Sequence, residues 1–548
     1  MASHETDSQS SQIKLSQSLF DLRLAKFIAS SMIPLKVVED PFFKEFLDLF
    51  NISTFGLRIT SRRLLTREFD NLYDKINSTI REKIEKIDFV CTTADIWSTK
   101  KRSFLGVTAH WINDSLERES VTLACRRFYS PHTYIRIAEL INEINHNFNI
   151  DCKKITATIT DNGSNFLKAF REYGVKENSM EIVADVEEEF VAIVTKDHDD
   201  TFDSNSNNGG DEDILTTSNN ENIDQDLHNC LPNHLKCAAH TISLCVTTDV
   251  TNFFKRSKEF QELHKKTIGK CNSLWKLTTR PKSAEIIESI LSCSLRKPGE
   301  TRWNSLYDSM KQICQYKEKM IPLCRSLGIR NIFLPSDFAY LEEHIMCTRP
   351  LAEALDILQA KGDKNTFYGI LLPCLVTARK KLKNLTEEET PLTYCKPLAE
   401  CLLASFEKRF QTFLNLSTSE SEAAAIAALS YPAFKNKWLR CIPVDKHEKI
   451  LGAFKTVVAK QMDALLTQSQ SNQPQQSCSF SDYFDFGSPL RNEEAEAIYL
   501  DAELLILQYF KETSQDLLLL DRYPSIKKVF IEYNTPLPSS APVERMFS

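Results

Sequence analysis

The sequence is short of glycine, with 13 in 548 residues. That scarcity disfavours glycine-rich phosphate loops and a long all-β sandwich with many tight turns. No apolar run reaches the ~18 residues that a membrane-spanning helix needs. The opening stretch, Met1–Ser10, is polar and lacks the apolar segment of a secretory signal. The 16 cysteines stand singly between Cys91 and Cys478, and no Cys-x-x-Cys pair occurs. Without a signal, they read as reduced thiols of an intracellular protein rather than a disulfide framework. No cysteine precedes Cys91, and His4 is the only histidine before it, so the N-terminal stretch has no zinc-finger ligand set.

What is present is an ordinary globular mix, 42% hydrophobic and 26% charged. The length suggests roughly two to four domains. The net charge of −7 is unevenly spread: residues 177–230 hold 16 Asp and Glu against one Lys (Lys196), a local −15. Subtraction leaves +8 for the rest of the chain, a mildly basic balance. It permits a nucleic-acid partner without demanding one.

The hydrophobic period divides the chain. Residues 1–15 read as disordered. A helical region fills 16–86, with Leu19, Leu22, Leu24, Phe27 and Ile28 at near-helical spacing, then a short amphipathic segment at Pro41–Phe50. A long helix follows with Ser61 as its N-cap. Between residues 87 and 128 the pattern becomes that of three strands with short polar joins, an antiparallel meander. A helix at His132–Phe148 leads to a buried strand at Ile155–Ile159, expected parallel to the first strand. The acidic stretch of about 177–230 reads as a disordered loop inside this core, which closes near residue 250. Residues 251–520 are almost wholly helical in pattern, with a low-complexity linker at 467–477, and 521–548 form a last helical region.

The order β-β-β-α-β has a chemical consequence. It puts the first strand centrally, with the fourth beside it, so Asp95 and Asp161 can face each other. Facing carboxylates repel and are tolerated together mainly when a divalent cation neutralises them. A third carboxylate from a later helix would complete a two-metal site for phosphodiester displacement. The bland alternative makes Asp161 a helix N-cap before Asn162-Gly163-Ser164. Asp95 is harder to explain as bland, because it sits inside a strand-like run beside Ile96 and Trp97.

The segment from Cys91 to Asn165 resembles the front half of the hAT transposase catalytic domain. The matching pieces are Ala94-Asp95-Ile96-Trp97-Ser98, Phe104 to Ile112, and Thr160-Asp161-Asn162-Gly163-Ser164-Asn165-Phe166. Lys236-Cys237-Ala238-Ala239-His240-Thr241 and Thr301-Arg302-Trp303-Asn304-Ser305 follow in family order. The end, Leu537 to Ser548, is similar to the start of the family's C-terminal dimerisation motif, and the nearest likeness is to the BED-zinc-finger group of domesticated hAT proteins. The resemblance implies a ribonuclease-H-like mixed α/β core, interrupted by a large all-α insertion. It implies Asp95, Asp161 and Glu544 as the catalytic Asp-Asp-Glu set, holding Mg²⁺ or Mn²⁺. Cys237, His240, Arg302 and Trp303 become DNA-proximal residues, with Trp303 placed to stack on an unpaired base.

The alternatives remain open at this stage. Trp303 also suits a helical core, and Glu544 also suits a first-turn charge four residues after Ser540. His234, Cys237 and His240 form a His-x-x-Cys-x-x-His pattern that suggests zinc, but three residues at that spacing do not easily wrap one ion. Lys265, Lys266 and Lys270, and Arg379, Lys380, Lys381 and Lys383, are basic faces that suit DNA phosphate or plain solvent.

Two departures set the chain apart: no BED finger precedes the core, and the sequence stops four residues after Glu544. The sequence therefore predicts a nuclear, DNA-binding, transposase-like protein of transposon origin, homo-oligomeric through its C-terminal region and not membrane-bound. Its ancestral metal-dependent strand cleavage and transfer is expected to be impaired. The competing reading is a non-catalytic DNA-binding or protein-interaction module that keeps the fold, or a fragment without function.

Overall fold

The computed structural model describes residues 16–99, 102–129, 132–175, 230–299, 303–359, 366–387, 392–470 and 491–547. The expectations for residues 1–15, for the acidic stretch up to residue 229, for linker residues 471–477 and for Arg302 lie outside the described residues. The chain forms two compact units, Met1–Lys86 and Ile87–Ser548. No helix among the described residues is long and apolar enough to cross a membrane.

The first unit is built on α1 (Gln17–Ser30), α2 (Pro41–Asp48) and α3 (Arg62–Glu85). Polar side chains set its helix starts. Asp40 Oδ1 accepts from the amides of Phe42 and Phe43 at 2.9 and 3.1 Å, and Ser61 Oγ accepts from that of Leu64 at 3.4 Å. Leu24, Ala25, Ile28, Val38 and Leu65 make its small core.

The second unit opens with a five-stranded sheet. Its strands are β1 (Val90–Ser98), β2 (Ser103–Ile112), β3 (Arg118–Phe128), β4 (Ile155–Thr160) and β5 (His234–Lys236). Their spatial order is β3-β2-β1-β4-β5. The meander β1-β2-β3 is antiparallel. The helix α4 (Tyr134–Asn147) then carries the chain over, so that β4 runs parallel to β1 and β5 parallel to β4. β1 thus sits centrally with β4 beside it. Thr92 and Thr93 keep the buried middle of β1 polar yet satisfied: their hydroxyls pair with Thr158 at 2.7 Å and Thr108 at 2.6 Å.

After β4 comes α5 (Ser164–Tyr173), and after β5 the short helix Ala238–Leu244. From Val250 onward every secondary-structure element among the described residues is a helix. These helices have no core of their own. One apolar cluster runs from Cys91, Ala157 and Ile159 on the sheet, through Trp275, Tyr340, Leu372 and Phe406, to Phe530 and Leu537. The helix His447–Gln470 continues past residue 467, where the sequence suggested a linker.

The chain then returns to the sheet, and buried polar groups hold this return. Arg118, at the start of β3, donates from its guanidinium to the carbonyls of Asn534 at 2.5 Å, Thr535 at 2.8 Å and Pro536 at 3.4 Å. A cation at the carbonyl end of a helix, here Pro524–Asn534, is favoured by the helix dipole. The fully buried Asn534 donates to the carbonyl of Ala427 and accepts from the amide of Gly369. Ser539 Oγ donates to the carbonyl of Leu358 at 3.0 Å. The last helix, Ala541–Met546, packs on β1 and β2.

Candidate functional site

Strand geometry brings Asp95 and Asp161 together. β1 and β4 pair in parallel with Thr92 opposite Thr158 and Thr93 opposite Ile159. Two residues further along each chain, that register sets Asp161 beside Asp95, about one inter-strand spacing of 4.8 Å away along the backbone. Asp161 lies just beyond the last residue of β4, in the turn before α5. It is not the helix cap. Gly163 holds the cap position, and Asp161 Oδ1 instead accepts from the Gly163 amide at 3.0 Å, stiffening the turn.

Glu544 arrives from the other end of the chain. Residues two apart on a strand share a face, so Thr93, Asp95 and Trp97 point the same way. The last helix lies on that face: the Phe547 ring stacks on Trp97, with centroids 5.7 Å apart and planes 9° from parallel. Gly106 makes room for it. It sits directly opposite Asp95 in β2, and a methyl group there would come within 2.4 Å of Met546 and 2.7 Å of the Phe547 ring. At the helix start, the Ser540 hydroxyl donates to Glu544 Oε1 at 3.0 Å instead of capping the backbone.

The charges of Asp161 and Glu544 act on Asp95. Asp95 is pushed up from 3.8 to about 6, by partial burial first, then by the negative charges of Asp161 and Glu544, against a small opposing hydrogen bond from the Ile96 amide. This is a shared electric field. It is not yet a coordination point: among the described residues, no group of three or more His, Cys, Asp or Glu side chains is close enough together to hold a metal ion. Asp95, Asp161 and Glu544 each turn one oxygen to a local donor. Charge and donor chemistry still fit a hard divalent cation, since all three ligands are carboxylates. Next to Asp161 in sequence, Asn162 Oδ1 is a buried acceptor with no hydrogen-bond partner, while its Nδ2 donates to Thr241 Oγ1 at 3.2 Å.

The residues expected near DNA fare differently. Cys237 is fully buried. Its sulfur accepts from the amides of His240 at 3.4 Å and Ser540 at 3.3 Å, so it caps one helix and fastens the start of another. His234 is no zinc ligand. Its ring stacks on Phe170 at 4.4 Å, its Nε2 pairs with Thr160 Oγ1 at 2.9 Å, and burial lowers it to about 4. His240 is half-buried on the helix Ala238–Leu244. Trp303 is half-buried against the large core and edge-on to Tyr307, so only part of its ring is open to a base.

Of the basic faces, Lys270 is buried and paired with Asp337 at 2.5 Å. Arg379 and Lys381 meet Glu407 and Glu353, each at 2.6 Å. Lys270 is thus sealed inside the protein and Arg379 and Lys381 are held in surface ion pairs, while Lys265, Lys266, Lys380 and Lys383 are exposed.

Residues 93–182 match the family model of the ZBED1 RNase-like domain. The match supports a ZBED/hAT-derived, transposase-like protein, and it agrees with the five-stranded mixed sheet. No curated protein matches the chain. The ZBED1 RNase-like match spans Asp95, Trp97, Gly106 and Asp161. It stops far short of Glu544, which joins them only through the fold.

The sequence shows Trp97 and Gly106 only as parts of the matching pieces and Ser540 only as a residue ahead of Glu544; it assigns this joining role to none of them, nor to Arg118. Only Gly106 left a signal, as a lone glycine inside an alternating strand pattern, which marks a close approach of something to the strand.

Proposed function

We propose that the chain is a domesticated, hAT transposase-like protein that binds DNA on its ribonuclease-H-like face. Asp95, Asp161 and Glu544 are its candidate metal-binding carboxylates. The observation that carries this reading is the field at Asp95: beyond the effect of burial, Asp161 from the turn after the neighbouring strand and Glu544 from the far end of the chain both raise its pKa. A fold has little reason to gather three repelling carboxylates on one sheet face unless a cation is to share them.

Mg²⁺ or Mn²⁺, when bound, would supply positive charge to a phosphodiester in displacement. The chain's own residues do the rest. Asp95 is held by the central strand and Asp161 by its turn, so neither moves freely. Stacking of Phe547 on Trp97 and the Ser540 hydroxyl orient Glu544. Exposed lysines such as Lys265 and Lys380 are suited to backbone phosphate. Nuclear localisation and self-association through the C-terminal region belong to the same reading.

A second reading has its own support. The three side chains are not drawn together around one point, which favours a non-catalytic DNA-binding module that keeps the fold. Nicking of supercoiled plasmid DNA in Mn²⁺, comparing wild type with Asp161→Asn, separates the two. Nicking by the wild type alone supports the catalytic reading. DNA retention in a gel without nicking supports the second. Equal nicking by both proteins overturns the assignment of Asp161.

A further inference from the structure

A second cluster lies at the opposite end of the sheet. Cys152 opens the short turn Cys152–Lys154 that leads into β4, and Cys230 stands four residues before β5. Their sulfurs are 3.6 Å apart, although 78 positions separate them in sequence. Both thiols are accessible: Cys152 is half-buried and Cys230 exposed. The six residues of β4 separate this pair from Asp161, roughly 20 Å of strand. The two thiols therefore take no part in the carboxylate site.

The backbone on both sides of the pair is fixed. The Asp151 carboxylate accepts from the Lys153 amide at 2.9 Å, pinning the turn that carries Cys152. Next to Cys230, the Leu231 amide donates to the Tyr173 carbonyl at 2.8 Å, and the Val175 amide donates to the Leu231 carbonyl at 3.1 Å. The Thr158 amide donates to the Asn233 carbonyl at 2.8 Å. Closing a disulfide, whose sulfurs stand about 2.05 Å apart, requires the sulfurs to approach by only about 1.5 Å.

We propose that Cys152 and Cys230 are a redox-active dithiol, a modification site that forms an intramolecular disulfide by exchange with a small-molecule disulfide. The exposed Cys230 thiolate attacks one sulfur of the oxidant. The oxidant's S–S bond breaks, a mixed disulfide forms, and one thiolate leaves. The Cys152 thiolate then attacks the Cys230 sulfur and expels the second thiolate. Two electrons pass to the oxidant, which ends as two thiols, and the protein loses two thiol protons.

The environment of Cys152 supports that order. Its proton is held up to about 12, by burial first, then by its hydrogen bond to Cys230 and the charge on that sulfur, and last by Asp151. Capping Cys230 removes the two causes that it supplies, while burial and Asp151 still act on Cys152. The bond would staple the three-residue edge strand β5 to the turn before β4, and an exposed disulfide of this kind is readily reduced again.

The test is oxidation of the full chain with oxidised glutathione, then alkylation in denaturant and peptide mapping by mass spectrometry. The expected result is one linked peptide pair joining Cys152 to Cys230, lighter by two hydrogens and restored by dithiothreitol. In Cys152→Ser, Cys230 should accumulate as the glutathione mixed disulfide. Wild-type protein that stops at the mixed disulfide on Cys230 overturns the proposal. So does a linkage of either cysteine to another partner. The wild-type map alone decides between these outcomes, whether or not the variant folds.

Discussion

The Trp97 ring, 41% exposed at the end of β1, stacks on Phe547, the second residue from the end of the sequence. Two aromatic faces thereby fasten the helix that carries Glu544 to the strand that carries Asp95. The stack is worth about 0.5–1.5 kcal/mol beyond its buried area. A double-mutant cycle of Trp97→Ala and Phe547→Ala should return a coupling of that size in urea unfolding. Additive effects would mean that the rings do not hold the helix.

Gly106 should be intolerant of a side chain. Gly106→Val places methyl groups where Met546 and the Phe547 ring now lie. Displacing them should cost about 1–3 kcal/mol and expose the C-terminal segment to limited proteolysis. A variant with unchanged stability and cleavage pattern would refute the close packing.

Arg118 should matter far more than its position at a strand start suggests. Arg118→Met leaves the carbonyls of Asn534, Thr535 and Pro536 without their buried donor. The expected loss is roughly 2–4 kcal/mol, measured by thermal or urea unfolding. A cost under ~0.5 kcal/mol would show that the C-terminal return is held by apolar packing alone.

Much of this fold was legible in the sequence, and for a definite reason. The strands of the meander and β4 are rich in β-branched and aromatic residues, and the polar breaks between them are short. That pattern dictates β1 at the centre with β4 alongside, and so the pairing of Asp95 with Asp161. What could not be read is how residues 534–547 return to the sheet. Arg118, Gly106 and Cys237 hold that return through contacts that span hundreds of residues and obey no local period. Burial was equally hidden. Lys270 reads as one more cation on a basic face, yet it is sealed inside with Asp337.

Asp95 should make stability depend on pH. Its folded pKa of about 6 lies above the ordinary value of 3.8, so the folded chain holds this proton more tightly than the unfolded chain does. The favourable contribution is therefore complete below about pH 4 and lost as pH rises through about 6. The gap corresponds to at most roughly 3 kcal/mol. Asp95→Asn should unfold at a higher temperature than wild type at pH 8, and the advantage should shrink toward pH 4. A difference that is constant across pH would mean that folding does not raise the Asp95 pKa.

Direct titration of Mn²⁺ into the full-length protein at pH 7.5, followed by calorimetry, tests the central claim. The account predicts saturable binding that Asp95→Asn, Asp161→Asn and Glu544→Gln each weaken by about tenfold or more, the scale of losing one charged partner of a bound cation. Absence of saturable binding in the wild type, or equal binding in all four proteins, would contradict the assignment of these carboxylates to one metal site.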